Sequence, residues 1–146
     1  MKKIILFALL LFLIWLVMEV YCRLPDQFKI TKLDIPKDTQ TLVVLFHGAK
    51  DHLNPELEAL ANEFRIYLEK NQNAEVINYN WSYGSDNRLR ASTNAIKIGE
   101  SLGSEIAKYK RLRHIRLIGH SVGAFIPDAL CQAYRDQGGN AHIEIN

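Results

Sequence analysis

The N-terminal part of the chain is one continuous run of apolar residues. Residues 4–18 contain no charged or strongly polar side chain; Lys2 and Lys3 precede them and Glu19 follows. A basic start before such a run is typical of a secretory signal peptide, and also of a short membrane anchor, which needs about 17–25 mostly apolar residues. No pair of small residues at cleavage spacing follows, so the sequence favours a retained signal anchor over a cleaved signal peptide. The two lysines favour a cytoplasmic N-terminus, with the rest of the chain exported.

After this leader, segments with strand periodicity alternate with segments of helical periodicity. Residues 41–47 form a near-continuous apolar run, as expected for a strand covered on both faces. Further strands are predicted over residues 75–81, 114–119 and 141–145, and helices over residues 55–68, 96–109 and 122–137. This alternation with short connections predicts an α/β fold, in which a mostly parallel sheet has helices on both faces and is preceded by the hydrophobic N-terminal helix.

These patterns divide the chain into three parts. Residues 1–23 are the signal anchor or signal peptide, and residues 41–146 are the α/β domain. Residues 24–40 are a linker or an edge strand, because apolar residues recur among lysines and aspartates, namely Phe28, Ile30, Leu33 and Ile35. A polar loop is predicted over residues 82–90, after a strand with one apolar face formed by Ile77, Tyr79 and Trp81.

Local signals refine the predicted helices. Asn54 and Pro55 are a typical N-cap and first residue of a helix. Pro127 falls inside the last predicted helix, where it should remove a hydrogen bond and kink that helix. The middle helix has an apolar or small-residue stripe formed by Ile96, Gly99, Leu102, Gly103, Ile106 and Tyr109. We expect its two glycines to allow close packing on the sheet.

Composition and charge narrow the class of protein. The chain has 146 residues, of which 48% are hydrophobic and 23% charged, as is usual for a folded chain. Lys2, Lys3 and Arg23 against Glu19 account for the whole net charge of +2, so the remainder is neutral. A neutral body excludes an electrostatic argument for nucleic-acid binding, which depends on phosphate neutralisation. Two cysteines, Cys22 and Cys131, are too few for a disulfide framework.

One pentapeptide has the pattern of a catalytic motif. Gly119-His120-Ser121-Val122-Gly123 lies between a predicted strand and a predicted helix, the context that a G-x-S-x-G nucleophile elbow requires. A serine alcohol becomes a useful nucleophile only if it is exposed, oriented and deprotonated by a neighbouring base. The flanking positions must be small because the helix passes close to the strand. The alternative is an ordinary helix N-cap serine after a glycine turn.

A second short segment supplies the complementary chemistry. Gly48 and Ala49 directly follow the first predicted strand, in the stretch Phe46-His47-Gly48-Ala49. Acyl transfer needs backbone N–H groups aimed at the developing oxyanion. One donor is expected from Val122, directly after the nucleophile, and the other from Ala49. By itself the His-Gly pair is equally compatible with an ordinary strand-to-helix turn.

Together these segments make the chain resemble the α/β-hydrolase superfamily, and most closely its lipase branch. The similar stretches are residues 42–48 (LVVLFHG), 76–82 (VINYNWS), 94–107 (NAIKIGESLGSEIA) and 115–124 (IRLIGHSVGA). The resemblance implies a serine hydrolase of carboxylic esters, with Ser121 as the nucleophile that forms an acyl-enzyme. It also implies an acid and a histidine, in that order, after Ser121.

The chain departs from that pattern after Ser121. The available side chains are Asp128, Asp136, Glu144 and His142, and all lie on the elbow helix or the last predicted strand. The triad acid and the triad histidine therefore stay unassigned, and the expectation is a domain that is incomplete at its C-terminus. The alternative function is a non-catalytic or truncated remnant of the scaffold that acts as a membrane-tethered binding domain.

No cofactor or metal is expected. The five histidines, His47, His52, His114, His120 and His142, do not have the spacing of metal ligands. A short basic run, Lys108, Lys110, Arg111 and Arg113, is typical of a helix C-terminus and the following turn. The expected partners are a small-molecule or lipid ester substrate and a membrane contacted through residues 4–22, with no nucleic acid.

Overall fold

The structure, a computed structural model, describes residues 2–70 and 73–146, with side chains from Ile4 onwards; Met1 of the predicted leader lies outside the described residues. Its elements are, in order, α1 (Lys2–Arg23), β1 (Thr41–Phe46), α2 (Pro55–Leu68), β2 (Ala74–Tyr79), α3 (Ser82–Ser85), α4 (Ala91–Ile106), β3 (His114–Gly119), a 3-10 turn (Ser121–Ala124), α5 (Phe125–Asp136) and β4 (His142–Ile145). The strands form one parallel sheet in the order β2-β1-β3-β4. The predicted α/β fold is confirmed.

The central strand β1 is buried on both sides, as its unbroken apolar run predicts. Val43 and Leu45 pack in the core between the sheet and α2. Leu42, Val44 and Phe46 point to the other face, where they join the core formed with α4 and α5. All five side chains are buried. Because a strand alternates its side chains between the two faces, one short strand supplies both halves of the core.

Helix α2 begins as its sequence predicts. The side chain of Asn54 accepts a hydrogen bond from Leu57 N at 2.8 Å, and Pro55 is the first helical residue. This cap satisfies one of the N–H groups that have no partner within the helix. It also fixes where the chain turns away from the end of β1.

Helices α4 and α5 pack directly against each other. A Cβ atom on Gly99 would lie 2.6 Å from Ile126 O and 2.7 Å from Ala129 Cβ, so glycine is needed for this approach. The predicted close packing is therefore against α5 and not against the sheet. Ile96, in the predicted stripe, is exposed; the apolar residues that are fully buried on α4 are Ala95, Ile98, Leu102 and Ile106.

Helix α1 stands apart from the core. Among the described residues it is the one helix long and apolar enough to cross a membrane. The candidate span covers 20 residues from Ile4 to Arg23, has a mean hydropathy of 2.7 and is not buried against the rest of the protein. Its length of about 30 Å matches the hydrocarbon core of a bilayer. The same properties are shared by membrane anchors and signal sequences.

Residues 24–40 contain no β-strand, which corrects the edge-strand alternative. Leu33 and Ile35 are nevertheless buried, and Phe28 packs against the same core as α4. Instead of joining the sheet, the backbone bonds to tyrosine hydroxyls: Tyr79 Oη donates to Thr31 O at 2.7 Å. The segment is an extended strap, and its apolar side chains pack into the core on the α4 side of the sheet.

Two connections differ from the expected ones. The predicted polar loop over residues 82–90 begins with the one-turn helix α3, in which Gly84 and Ser85 are buried. The predicted helix over residues 122–137 is divided into the 3-10 turn and α5. Pro127 is thus the third residue of the regular helix, where a backbone N–H has no partner inside that helix, so the expected mid-helix kink has no cause.

Candidate active site

Ser121 lies in a tight turn between β3 and α5. Its backbone has φ = +55°, a left-handed conformation that is uncommon for a residue other than glycine. Such a conformation costs about 1–2 kcal/mol and persists only where surrounding contacts enforce it. The side chain is exposed at the carboxyl end of β3. The strained, exposed serine matches the geometry that the pentapeptide predicts for a nucleophile elbow.

The two glycines of the pentapeptide are required by backbone contacts. A Cβ atom on Gly119 would lie 2.5 Å from Ala124 Cα. A Cβ atom on Gly123 would lie 2.8 Å from Phe46 O and would overlap His47 O. The turn is therefore pressed both against its own following residues and against the end of β1. This packing explains why small residues flank the serine on both sides.

The loop after β1 lies beside Ser121. A Cβ atom on Gly48 would lie 3.3 Å from Ser121 Cβ, and His120 N donates to Phe46 O at 2.9 Å. In the part of the chain that the structure describes, the N–H groups of Ala49 and Val122 donate no hydrogen bond. Ala49 follows Gly48 and Val122 follows Ser121, so both unpaired donors belong to the two adjoining loops from which an oxyanion hole could be built.

The sheet topology places these two loops at the position where parallel α/β sheets bind ligands. β1 lies between β2 and β3, and the connection through α2 leaves on the opposite face from α4 and α5. The strand order therefore reverses direction at β1 and β3. The crevice outside the carboxyl ends of such strands is the usual ligand site of doubly wound sheets. The residues that follow β1 and β3 there are Gly48, Ala49, Ser121 and Val122.

His47 has a structural role in the turn after β1. Trp81 N donates to His47 Nε2 at 3.1 Å, so the proton must be on Nδ1, which donates to Gly48 O at 2.7 Å. Trp81 Nε1 donates in turn to His47 O at 2.8 Å, and the two rings stack. Both ring nitrogens form hydrogen bonds and the side chain is buried, so His47 braces the loop after β1 and is not bonded to Ser121. No sequence pattern indicated the contact between His47 and Trp81, because the two residues are 34 positions apart.

The protein is expected to lose stability as the pH falls below about 6.5, the ordinary pKa of histidine. Burial lowers the pKa of His47 in the folded protein, so the unfolded chain binds a proton first and stability falls by up to about 1.4 kcal/mol per pH unit. The free energy of unfolding continues to fall until the pH reaches the lowered pKa of His47 in the folded protein. Denaturant unfolding in detergent at several pH values between 7.5 and 5 measures this free energy. His47→Gln should flatten this part of the profile, and an unchanged slope in that variant would contradict the assignment.

His120 is the histidine closest in sequence to Ser121, and its side chain is turned to a carboxylate. Its Nδ1 lies 3.4 Å from Asp51 Oδ2, in the loop after β1. Among the residues that the structure describes, none forms a hydrogen bond or ion pair with the Ser121 side chain. The turn thus has a candidate nucleophile and candidate oxyanion donors, and no described residue contacts Ser121 as a base.

The acidic residues and the histidine that follow Ser121 in sequence are not brought to it. Asp128 is exposed on α5, and Asp136 at the end of α5 accepts a hydrogen bond from Gln132. Glu144 pairs with Arg116 across β3 and β4, and this guanidinium lowers the pKa of the carboxyl.

His142 begins β4 and is in register with His114, the first residue of β3. It lies at the amino edge of the sheet, about 17 Å from the carboxyl end of β3 at 3.3 Å per residue. No group of three or more potential metal ligands occurs within the described residues.

A groove of about 280 Å³ lies beside the elbow. Its walls include Gly119 and His120 from the turn, Ile118 from β3, and Leu57 and Leu60 from α2. This mixture of apolar side chains and a polar rim suits a small apolar group held beside Gly119 and His120, the two residues before Ser121. Comparison of the chain with protein-family models, curated proteins and solved structures gives no match.

Proposed function

We propose that the protein is a serine hydrolase of carboxylic esters with Ser121 as the nucleophile. The observation that carries this proposal is the left-handed backbone of Ser121, exposed at the carboxyl edge where the strand order reverses. Strain of this kind concentrates at functional sites because ordinary packing does not need it. A serine that served only as a helix cap would have no reason to adopt it.

The chemistry assigned to the site is acyl transfer in two steps. Ser121 Oγ attacks the ester carbonyl carbon, and the resulting oxyanion accepts hydrogen bonds from the N–H groups of Ala49 and Val122. The bond to the alcohol breaks, the alcohol leaves with a proton, and an acyl-serine remains. Water then hydrolyses the acyl-serine to the acid and free Ser121. The groove next to Gly119 and His120 is the candidate site for the acyl chain.

Acylation of Ser121 in this 146-residue chain is expected to be slow and to depend on hydroxide. No residue that the structure describes contacts Ser121 as a base, so the hydroxyl proton of Ser121 must pass to the solvent. The rate of acylation should therefore rise about tenfold per pH unit from pH 6 to 9. The oxyanion donors and binding should still give about 10³-fold over the uncatalysed reaction. The measurement is acyl-enzyme formation from p-nitrophenyl acetate by the chain in detergent, followed by mass spectrometry.

Ser121→Ala is the control for this experiment. Equal acylation of this variant and the native chain would overturn the proposed nucleophile. A rate that levels off near neutral pH would show that a histidine of the chain acts as the base. His120→Asn would then identify or exclude the exposed imidazole that lies beside Asp51.

A second candidate is a non-catalytic, membrane-tethered binding domain that uses the same crevice. The observation in its favour is that no acid–base pair contacts Ser121 within the described residues. The two functions differ in the acylation experiment, because a binding domain has no need of a reactive serine.

We also assign α1 the role of a retained membrane anchor, with the α/β domain on the exported side. Support comes from its unburied apolar surface and from the two lysines before it. Arg90 and Thr93 also donate hydrogen bonds to backbone oxygens of Tyr21 and Cys22 at the end of α1, which a segment destined for removal does not require.

A further inference from the structure

The end of α1 is joined to the domain by a dense set of polar contacts. Asp26 is at their centre: its N–H donates to Asn94 Oδ1 at 2.7 Å, and Asn94 Nδ2 donates back to Asp26 Oδ2 at 2.9 Å. Arg90 Nη1 bonds Asp26 Oδ1 at 2.8 Å. Asn94 is fully buried, so its amide is committed to this contact. We call these residues, together with Asn87, Thr93 and Lys97, the juxtamembrane cluster.

The same cluster also holds the last turn of α1. Arg90 Nε donates to Tyr21 O at 2.9 Å, and its guanidinium lies 3.7 Å from the centre of the Tyr21 ring. Thr93 Oγ1 donates to Cys22 O at 2.8 Å, and Lys97 Nζ donates to Asp26 O at 3.0 Å. Hydrogen bonds thus fix both the last turn of α1 and Asp26, which follows it, to α4 and the turn before α4. The orientation of α1 relative to the domain is therefore held by side-chain contacts.

The juxtamembrane cluster lies at the same edge of the sheet as Ser121. It is built on the first half of α4 and the turn before it, and α4 follows the carboxyl end of β2. All strands are parallel, so the carboxyl ends of β1, β2 and β3 share one edge. Asn94 also donates to Gly84 O at 2.8 Å, and α3 follows directly on Trp81, the partner of His47.

The position of the membrane surface follows from the length of α1. A span from Ile4 to Arg23 uses about 30 Å, the full thickness of the hydrocarbon core. The headgroup region then begins at Arg23 and Leu24, next to Arg90. The carboxyl edge is therefore the side of the domain nearest the bilayer.

Three exposed apolar side chains lie at this edge. Leu53 is 82% exposed, Leu89 54% and Phe125 50%. Each lies at or within two residues of the start of a helix that follows a strand, which places it at the carboxyl edge. The amino edge also has two exposed apolar residues, Ile66 and Tyr67 at the end of α2. It differs in its basic residues, which line a groove there together with Glu105: Lys32, Lys37, Lys108, Lys110 and Arg111. Single exposed apolar residues need no explanation, but three at the edge that adjoins the anchor point to a common apolar contact.

We propose that the carboxyl edge of the sheet rests on the bilayer that contains α1, with Leu53, Leu89 and Phe125 in the membrane interface and Ser121 facing the lipid. The juxtamembrane cluster holds this orientation. The proposal rests on the anchor role of α1, and it is independent of whether Ser121 is catalytic. Its consequence for the proposed hydrolase is that the crevice opens towards the membrane surface and not towards bulk water.

Fluorescence quenching by lipids tests this orientation in the full chain. Single cysteines at Leu53, Leu89 and Phe125, with Cys22 and Cys131 changed to serine, carry a nitrobenzoxadiazole dye. The protein is placed in phosphatidylcholine vesicles with lipids spin-labelled near the headgroup. Tyr67→Cys is the matched control, because Tyr67 is also 82% exposed but lies at the amino edge, at the end of α2. We expect at least twofold stronger quenching at the three carboxyl-edge positions. Quenching equal to that at Tyr67, or weaker, overturns the proposal.

The role of the juxtamembrane cluster has its own test. The double variant Asp26→Ala, Arg90→Ala should lower quenching at Leu53 towards the Tyr67 value, while circular dichroism stays native. Unchanged quenching at Leu53 would overturn the role of the cluster in orientation. Alkaline washing of the vesicles checks the anchor separately, and release of the chain would overturn the anchor and with it the orientation. None of these readouts depends on ester hydrolysis, so failure here and failure of the proposed hydrolase are distinguishable.

Discussion

Replacing Gly123 with alanine is expected to lower the free energy of unfolding by about 3 kcal/mol or more. The new methyl group would overlap His47 O and lie 2.8 Å from Phe46 O. Both obstacles are backbone atoms at the end of the central strand β1, so no side-chain rotation can relieve the clash. Either β1 or the turn at Ser121 must move. Chemical denaturation in detergent, followed by the fluorescence of buried Trp81, measures the loss.

Gly138→Ala is the matched control for this prediction. Gly138 ends α5 with φ = +77°, and nothing lies within 4 Å of a Cβ atom built on it. Alanine at position 138 should therefore lower the free energy of unfolding only through the backbone strain of a left-handed residue, by about 1 kcal/mol. If Gly123→Ala were no more destabilising than Gly138→Ala, the contact between the elbow and β1 would be looser than described.

Replacing Ser121 with glycine is expected to stabilise the fold and to abolish acylation at the elbow. Glycine adopts the left-handed backbone freely, so relief of strain at φ = +55° should add about 1 kcal/mol to the free energy of unfolding. The same change removes the nucleophile, so the acylation attributed to Ser121 should fall by about 10³-fold, to the uncatalysed level. A gain in stability with a loss of reactivity is the expected mark of a strained functional residue.

Lys50→Gly separates the two effects of that substitution. Lys50 has φ = +57°, almost the same backbone strain as Ser121, and it lies outside the pentapeptide. Glycine at Lys50 should also stabilise the protein by about 1 kcal/mol, but the acyl group should still appear on Ser121. Loss of stability in Ser121→Gly would show that the serine side chain has structural contacts, which would contradict its assignment as a free nucleophile.

The predictions that the structure confirms rest on short stretches of chain. The apolar run of β1 predicted a strand buried on both faces, and Asn54 with Pro55 predicted the start of α2; both are as expected. The turn at Ser121 could also be inferred, because the strand, the two glycines and the helix that produce it occupy neighbouring positions; its left-handed backbone is a finding of the structure. The proposed catalytic role of Ser121 stays a prediction.

The incorrect expectations concern how elements pack against one another. Apolar residues in residues 24–40 suggested an edge strand, yet Leu33 and Ile35 are buried and Phe28 packs on the α4 side of the sheet. The backbone there bonds to Tyr79. The predicted stripe of α4 contains Ile96, which is exposed, and leaves out Ile98, which is fully buried in the core. A glycine pair on a helix shows that something approaches closely, but not that the neighbour is α5.

The sequence by itself thus determined the alternation of strands and helices, the apolar N-terminal helix and the position of the strained serine, because each depends on residues within one turn or one strand. Tertiary structure alone decided that His47 braces the loop at Gly48 through Trp81, and that Asp26 bonds to Asn94, 68 residues away. Those contacts depend on the strand order and on which face each helix covers. Periodicity along the chain contains no information about either, since partners far apart in sequence meet only when the whole sheet has formed.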